Sequence, residues 1–387
     1  MKQIRIIDFL ISFMVSMSLL RVPIMNLFSF LKVDVSLGYY AVYSIIVFLV
    51  ILYTFIYYEG KRYECCSVLI STNRTPYLLL PIIIVMGCFR GGVWEYAKDS
   101  IYTLFFFSLL PFFFLSLLIK ICNLYVIFKK YIYIHFFLGV IVSFLFFSTG
   151  QGYGADAMVA TYAIAPATAY FVYKSIADNK KGHFVVFAVF GAALTFLCGS
   201  RGGILLLGTA GVVGLINSKR RLSVILTVSV VILFLLLYQE TNFSFFSKAR
   251  LLNDFSERSF LSSESRKNNV YFPVLSAISD SLLYGWGTFG DRMFVKGHSW
   301  SHNIFLEILC DYGLILFLLF FYYFFKRSYM AMFKFKNDLL AVLFLMSFPQ
   351  LLVSSSFLQS SYFWIYLGVL FRGDINDEIC CNQSDDY

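Results

Sequence analysis

Apolar runs of the length that crosses a bilayer as a helix, about 20 residues, recur along nearly the whole chain, separated by short polar connections. Run length and punctuation together predict about twelve spans. They fall at roughly 6–27, 38–58, 77–90, 101–119, 131–149, 156–173, 184–199, 203–217, 222–238, 303–325, 339–356 and 359–371. The fold class this implies is all-α, a polytopic transmembrane helix bundle. The third, eighth and last runs are short for a span, so they are expected to be tilted, re-entrant or extended by polar neighbours. Only a tight polar turn separates the last two.

One stretch breaks the rhythm. From Gln239 to Ser301 no apolar run is long enough to cross a membrane, and polar residues dominate. The chain therefore divides into a first bundle, 1–238, a long loop, 239–301, a last group of spans, 302–371, and a polar acidic tail, 372–387.

Composition agrees with the pattern. Hydrophobic residues make up 59% and charged residues 14%, with a mean hydropathy of +0.76. A soluble domain is nearer half apolar and a quarter charged, so the excess belongs against membrane lipid. The N-terminal Met1-Lys-Gln-Ile-Arg5 resembles the start of a signal peptide, but no small-residue cleavage site follows, so the first run reads as a retained helix.

The net charge of +9 is scattered over short loops, which argues against a nucleic-acid partner. Its placement is informative. Basic residues gather in alternate connections: Lys61, Arg62 and Arg74; Lys129 and Lys130; Lys180 and Lys181; Lys219, Arg220 and Arg221; Lys326 and Arg327. By the positive-inside rule these loops and both termini are cytoplasmic, and the 239–301 loop lies on the outer face. The eight cysteines show no disulfide framework, and the long loop has none.

Few basic residues remain outside, and each is a candidate for chemistry. Arg201 sits in Cys198-Gly-Ser-Arg-Gly-Gly203 at a junction of two spans, where glycines allow close backbone approach. A guanidinium there could clamp a phosphate, or simply cap a helix end and reach the headgroups. Arg90-Gly-Gly92 repeats the pattern more weakly, and Arg21 is placed to face the bundle interior. Arg258 and Arg266 lie within the long loop. Arg266, Val270, Val274 and Ile278 are spaced for one face of an amphipathic helix, with Pro273 expected to kink or break it. A glycine-rich turn, Gly285-Trp-Gly287-Thr-Phe-Gly290, follows and could wall a pocket or be an ordered loop.

The loop ends in His298-Ser-Trp-Ser-His302-Asn303. Asn303 or Ser301 could cap the apolar helix that begins there. A neutral His302 could accept a proton from a sugar hydroxyl, and Glu307 and Asp311 further along need a task or a partner. His298 and His302 are four apart, a spacing a metal pair could use. Gly297 and Trp300 do not suggest a continuous helix, no third ligand stands out, and no metal or other cofactor is expected.

Three of these motifs, in this order and spacing, resemble the O-antigen ligase and polymerase superfamily: Gly199-Ser-Arg201-Gly-Gly203, the segment from Arg266 through Pro273 to Gly285-Trp-Gly287, and His302-Asn303-x-x-Leu306-x-x-Leu309-x-x-x-Gly313. The resemblance covers roughly Ala192 to Phe325. It departs in having Ser281-Leu-Leu-Tyr284-Gly285 where the family usually has Pro-Leu-Leu-Gly. It implies a GT-C-like bundle in the bacterial inner membrane and a metal-independent glycosyltransferase that uses undecaprenyl-diphosphate-linked oligosaccharide at the outer face. By position, Arg201 and Arg266 would hold the diphosphate and His302 would be the catalytic base. Arg258, Arg90, Arg21, His298 and Asn303 are lesser substrate-binding candidates. Within the family the expectation here is a polymerase, with a chain-length regulator protein as a candidate partner. The alternatives are the ligase that attaches glycan to lipid A-core and, from another class, a lipid-linked oligosaccharide transporter.

Overall fold

The computed structural model describes residues 6–59, 75–90, 92–98, 100–117, 121–149, 155–177, 182–218, 267–295 and 300–371. Every regular element among them is helical. The helices are α1 (Ile6–Phe30), α2 (Ser36–Glu59), α3 (Thr75–Cys88), α4 (Ile101–Thr103 and Leu110–Leu117, joined through a π-helical turn, Leu104–Leu109), α5 (Ile121–Thr149), α6 (Ala155–Ala177), α7 (Gly182–Cys198), α8 (Arg201–Asn217), α9 (Phe272–Asp280), α10 (Ile304–Tyr329), α11 (Asp338–Leu351) and α12 (Ser361–Leu370). Each expected span that falls on described residues overlaps one of these helices, with some ends displaced: α5 begins at Ile121, ahead of the expected 131, and α11 ends at Leu351, short of the expected 356, so residues 354–356 fall in a turn. The stretch expected at 222–238 lies outside the described residues. By length and composition of the described residues, Phe9–Phe30, Phe128–Ser148 and Ile304–Lys334 are long and apolar enough to cross a membrane.

The chain folds as two compact units. One comprises residues 22–33 and 132–263, the other 1–21, 34–131 and 264–387. In the first, α6 is an alanine-rich helix on which α7 and α8 pack closely because small residues face it. A Cβ on Gly191 would lie 2.4 Å from Thr168 Oγ1, and one on Gly203 2.4 Å from Thr161 Cγ2. Small residues at helix contacts are what brings apolar helices together where lipid offers no hydrophobic drive. Val142, Phe146, Ala157, Ala160, Ala163 and Cys198 form its core, with Leu27 and Phe30 packed against them.

The second unit is built on aromatic packing. Phe324 of α10 meets Phe348 of α11 and Phe363 and Tyr366 of α12 at ring distances of 5.2, 5.8 and 5.9 Å. Edge and offset ring contacts of this kind add to the burial itself. The buried α12 also packs on α4, where Ser108 Oγ donates to the Leu358 carbonyl at 2.9 Å. An apolar cavity of about 270 Å3 lies among α3, α10 and α12, lined by Leu79, Ile83, Tyr312, Phe320, Phe363 and Trp364 among others.

Candidate functional site

The loop after α9 folds back onto α10 in the second unit. Pro273 does not break the amphipathic segment. It occupies the first turn of α9, where a missing N–H costs nothing, and a π-helical turn, Lys267–Tyr271, precedes it. Val270, Val274 and Ile278 of the expected stripe are buried, and Ala277 beside them is buried as well.

After α9 the glycine turn docks into a break in α10. The break is at Gly313, whose φ of 75° is left-handed. The amides of Trp286 and Gly287 donate to the carbonyls of Cys310 and Asp311, each at 2.8 Å, and the amide of Leu314 donates to the carbonyl of Leu282 at 2.7 Å. The approach is so close that a Cβ on Gly285 would sit 2.4 Å from the Asp311 carbonyl oxygen, and one on Gly313 2.3 Å from that of Leu283. The stretch therefore forms an ordered loop fastened to the apolar helix.

The two carboxyl groups of α10 are fully partnered. Asp311 Oδ2 accepts from the Phe289 amide and Oδ1 from the Asp291 amide, both at 3.0 Å. Glu307 Oε2 accepts from the Phe357 amide at 3.0 Å, and Oε1 accepts from the Ser356 hydroxyl. Asp291, also fully buried, accepts from the Ser301 amide through Oδ2 at 2.7 Å. Burial holds its carboxyl above the usual carboxylate range, against the opposing pull of the neighbouring Arg292 charge and the Ser301 hydrogen bond.

His302 follows directly. It is buried, has a left-handed φ of 56°, and its ring lies 5.3 Å from that of Trp300. Nδ1 is 3.1 Å from the carbonyl oxygen of Ser354, between α11 and α12. A carbonyl only accepts, so in the neutral ring Nδ1 carries the hydrogen and Nε2 the lone pair. Trp300 Nε1 donates to the same carbonyl at 3.1 Å. Asn303 is the N-cap of α10: its Oδ1 accepts from the amides of Phe305 and Leu306, and its Nδ2 donates to the Leu352 carbonyl at 3.2 Å.

The other expected residues are placed as follows. Arg201 is the first residue of α8, after Gly199 at φ 79° and an extended Ser200; its side chain lies outside the described residues. Arg258, Arg266 and His298 lie outside them altogether. Arg90 is exposed and donates to the Tyr284 and Gly285 carbonyls, tying α3 to the glycine turn. Arg21 is half-buried, donates to Tyr40 Oη at 3.1 Å and stacks over Phe107 at 4.6 Å. His302 and Asn303 are thus brought together with the fastened loop, and Arg90 helps to fasten it.

Two elements escaped the sequence reading. Arg292 stacks over Phe289 at 4.2 Å and donates through Nη1 to Ser100 Oγ at 2.7 Å; Nε and Nη2 are buried without a hydrogen-bond partner among the described residues. The serine-rich turn 354–356 carries the carbonyl that orients His302. Its only signal was polarity between two closely spaced apolar runs, which marks a turn and not a task.

A membrane protein emerges whose described elements are all helical, with a polar loop locked to an apolar helix around a buried, oriented histidine. One comparison bears on that class: a family model described as O-antigen ligase matches residues 186–321, so this stretch of the chain is similar to that family. Arg201, Arg266 and His302 all fall within the matched residues. A comparison with curated proteins gave no match.

Proposed function

We propose that this protein is a metal-independent glycosyltransferase of surface-polysaccharide synthesis, a polymerase that moves the growing glycan from undecaprenyl diphosphate onto a new lipid-linked repeat unit at the outer face of the bacterial inner membrane. The observation that carries this reading is the His302 geometry. With Nδ1–H held by the Ser354 carbonyl, the Nε2 lone pair can take a proton. The acceptor hydroxyl loses its proton to Nε2, and its oxygen attacks the anomeric carbon. The bond from that carbon to the diphosphate oxygen breaks, its electron pair leaving with undecaprenyl diphosphate. Such a leaving group is already activated. The protein's task is to supply positive charge where negative charge develops and to align two sugars. Arg201 and Arg266 take the first role by resemblance to the family. The apolar cavity beside α10 is chemically suited to an isoprenoid chain.

A ligase that transfers finished glycan to lipid A-core is the second reading, favoured by the description of the matching family model. The test is the glycan ladder from cells whose only copy carries Arg201→Ala, Arg266→Ala or His302→Ala, with expression checked. Collapse to core plus one repeat unit identifies the polymerase. Loss of core-linked glycan with accumulation of long lipid-linked polymer identifies the ligase. Loss of flipping with polymerisation intact would identify a transporter, and an unchanged ladder in all three variants would remove the site assignment.

A further inference from the structure

We propose that Glu307 and Asp311 of α10, together with Asp291 of the loop that Asp311 holds, are positioning residues for His302 and fix its backbone and its ring through two loops. The proposal rests on the functional reading above. His302 is constrained at two points. Its backbone is constrained through the preceding amide: Ser301 N donates to Asp291 Oδ2 at 2.7 Å, and the Asp291 amide is itself held by Asp311 Oδ1 at 3.0 Å. Its ring is constrained through the Ser354 carbonyl, at 3.1 Å. Ser354 is two residues before Ser356, whose hydroxyl, with the Phe357 amide, is held by Glu307. Glu307 and Asp311 are four residues apart on α10, hence on one face of one helix. Both constraints therefore refer back to the same short length of backbone, the one that Asn303 caps.

Space-filling does not account for this arrangement. Apolar side chains would fill the same volume without the desolvation that buried carboxyl groups incur. Glu307 and Asp311 each use both oxygens on donors from the neighbouring loops, not on each other. His302 also sits at a φ of 56°, a left-handed conformation uncommon among non-glycine residues, which the bonds on either side of it hold in place. None of the three carboxyl groups needs to touch substrate. Each acts through the position of the imidazole.

The test uses the full-length chain in liposomes with a synthetic undecaprenyl-diphosphate repeat unit, comparing wild type, Glu307→Gln and Glu307→Ala. Glutamine keeps an oxygen for the Phe357 amide and a polar group for the Ser356 hydroxyl; alanine keeps neither. In Glu307→Ala, kcat is expected to fall about 100-fold, the cost of an ångström-scale misplacement, while KM stays within about twofold. Amide exchange over residues 350–358 should accelerate in the same variant. Glu307→Gln should retain most of the turnover and the slow exchange. Ser356→Ala removes the donor from the other side and should move both readouts in the alanine direction, which covers a Glu307→Ala chain that fails to fold. Full turnover in Glu307→Ala overturns the proposal. So does a Glu307→Gln chain as inactive as alanine with exchange unchanged, since that assigns the effect to charge. A wild-type chain inert on the repeat unit brings down the functional reading and this proposal with it, whereas unaltered exchange in an active chain brings down this proposal alone.

Discussion

Asn303 joins local folding to site geometry through one side chain. Its oxygen satisfies two of the orphan amides that begin α10, and its amide nitrogen reaches the Leu352 carbonyl. Asn303→Ala should cost about 1 kcal/mol for the cap alone. Asn303→Asp keeps the cap but loses the Leu352 bond, so thermal unfolding of the detergent-solubilised chain should rank wild type above aspartate and aspartate above alanine. Equal melting temperatures for all three would mean that the cap contributes nothing. Asp291 gives a pH dependence with a definite sign. Because burial raises its folded pKa above the ordinary 3.8, the folded chain holds this proton more tightly than the unfolded chain. The stability from this group is then fully present below about 3.8 and is lost as pH rises through the folded value. Asp291→Asn keeps an oxygen for the Ser301 amide but cannot titrate. The melting temperature of the wild type should decline more steeply than that of the variant as pH is raised from about 4; parallel curves would assign the decline to other groups.

At the scale of elements, the junction of glycine turn and α10 depends on the absence of two side chains. Gly313→Ala and Gly285→Ala would each place a methyl group inside a backbone carbonyl, at positive φ. Strain of that kind, with the loss of the Trp286, Gly287 and Leu314 hydrogen bonds, should cost roughly 3 kcal/mol or more. Gly208 and Gly211 of α8 have open space where an added methyl group would sit, and ordinary helical surroundings. Alanine at either should change stability by no more than about 1 kcal/mol, in the stabilising direction. Proteolysis rates of the four variants would order them, and similar rates for Gly313→Ala and Gly208→Ala would contradict the junction. This is also where the sequence stops being legible. The helices could be read because apolar run length depends on nearest neighbours, and the Asn303 cap because capping is local. The residues that orient His302 are Ser354 and, through Asp311, the loop around Asp291; they are distant in the chain, and no period or spacing connects them. Glu307 and Asp311 announced themselves only as carboxyl groups in an apolar helix, which signals a task without naming it.

For the whole molecule, the distribution of charge makes a prediction that no local geometry makes. Lysine and arginine gather in alternate connections, at 61–74, 129–130, 180–181, 219–221 and 326–336. If those connections stay inside, both termini are cytoplasmic and the 239–301 loop is outside. A glycosyltransferase drawing on a lipid-linked donor exported across the membrane needs His302 at the outer face, so topology and function stand together. Single cysteines introduced at Ser263, at the exposed Lys334 and at Ser384, in a chain whose native cysteines are replaced by serine, separate the cases. A membrane-impermeant maleimide applied to intact spheroplasts should label the Ser263 position, and the other two only after permeabilisation. Labelling of the Lys334 position before permeabilisation would invert the bundle. Protection of Ser263 would put the His302 loop on the cytoplasmic side, and the proposed outer-face reading could not stand even if every contact around His302 were correct.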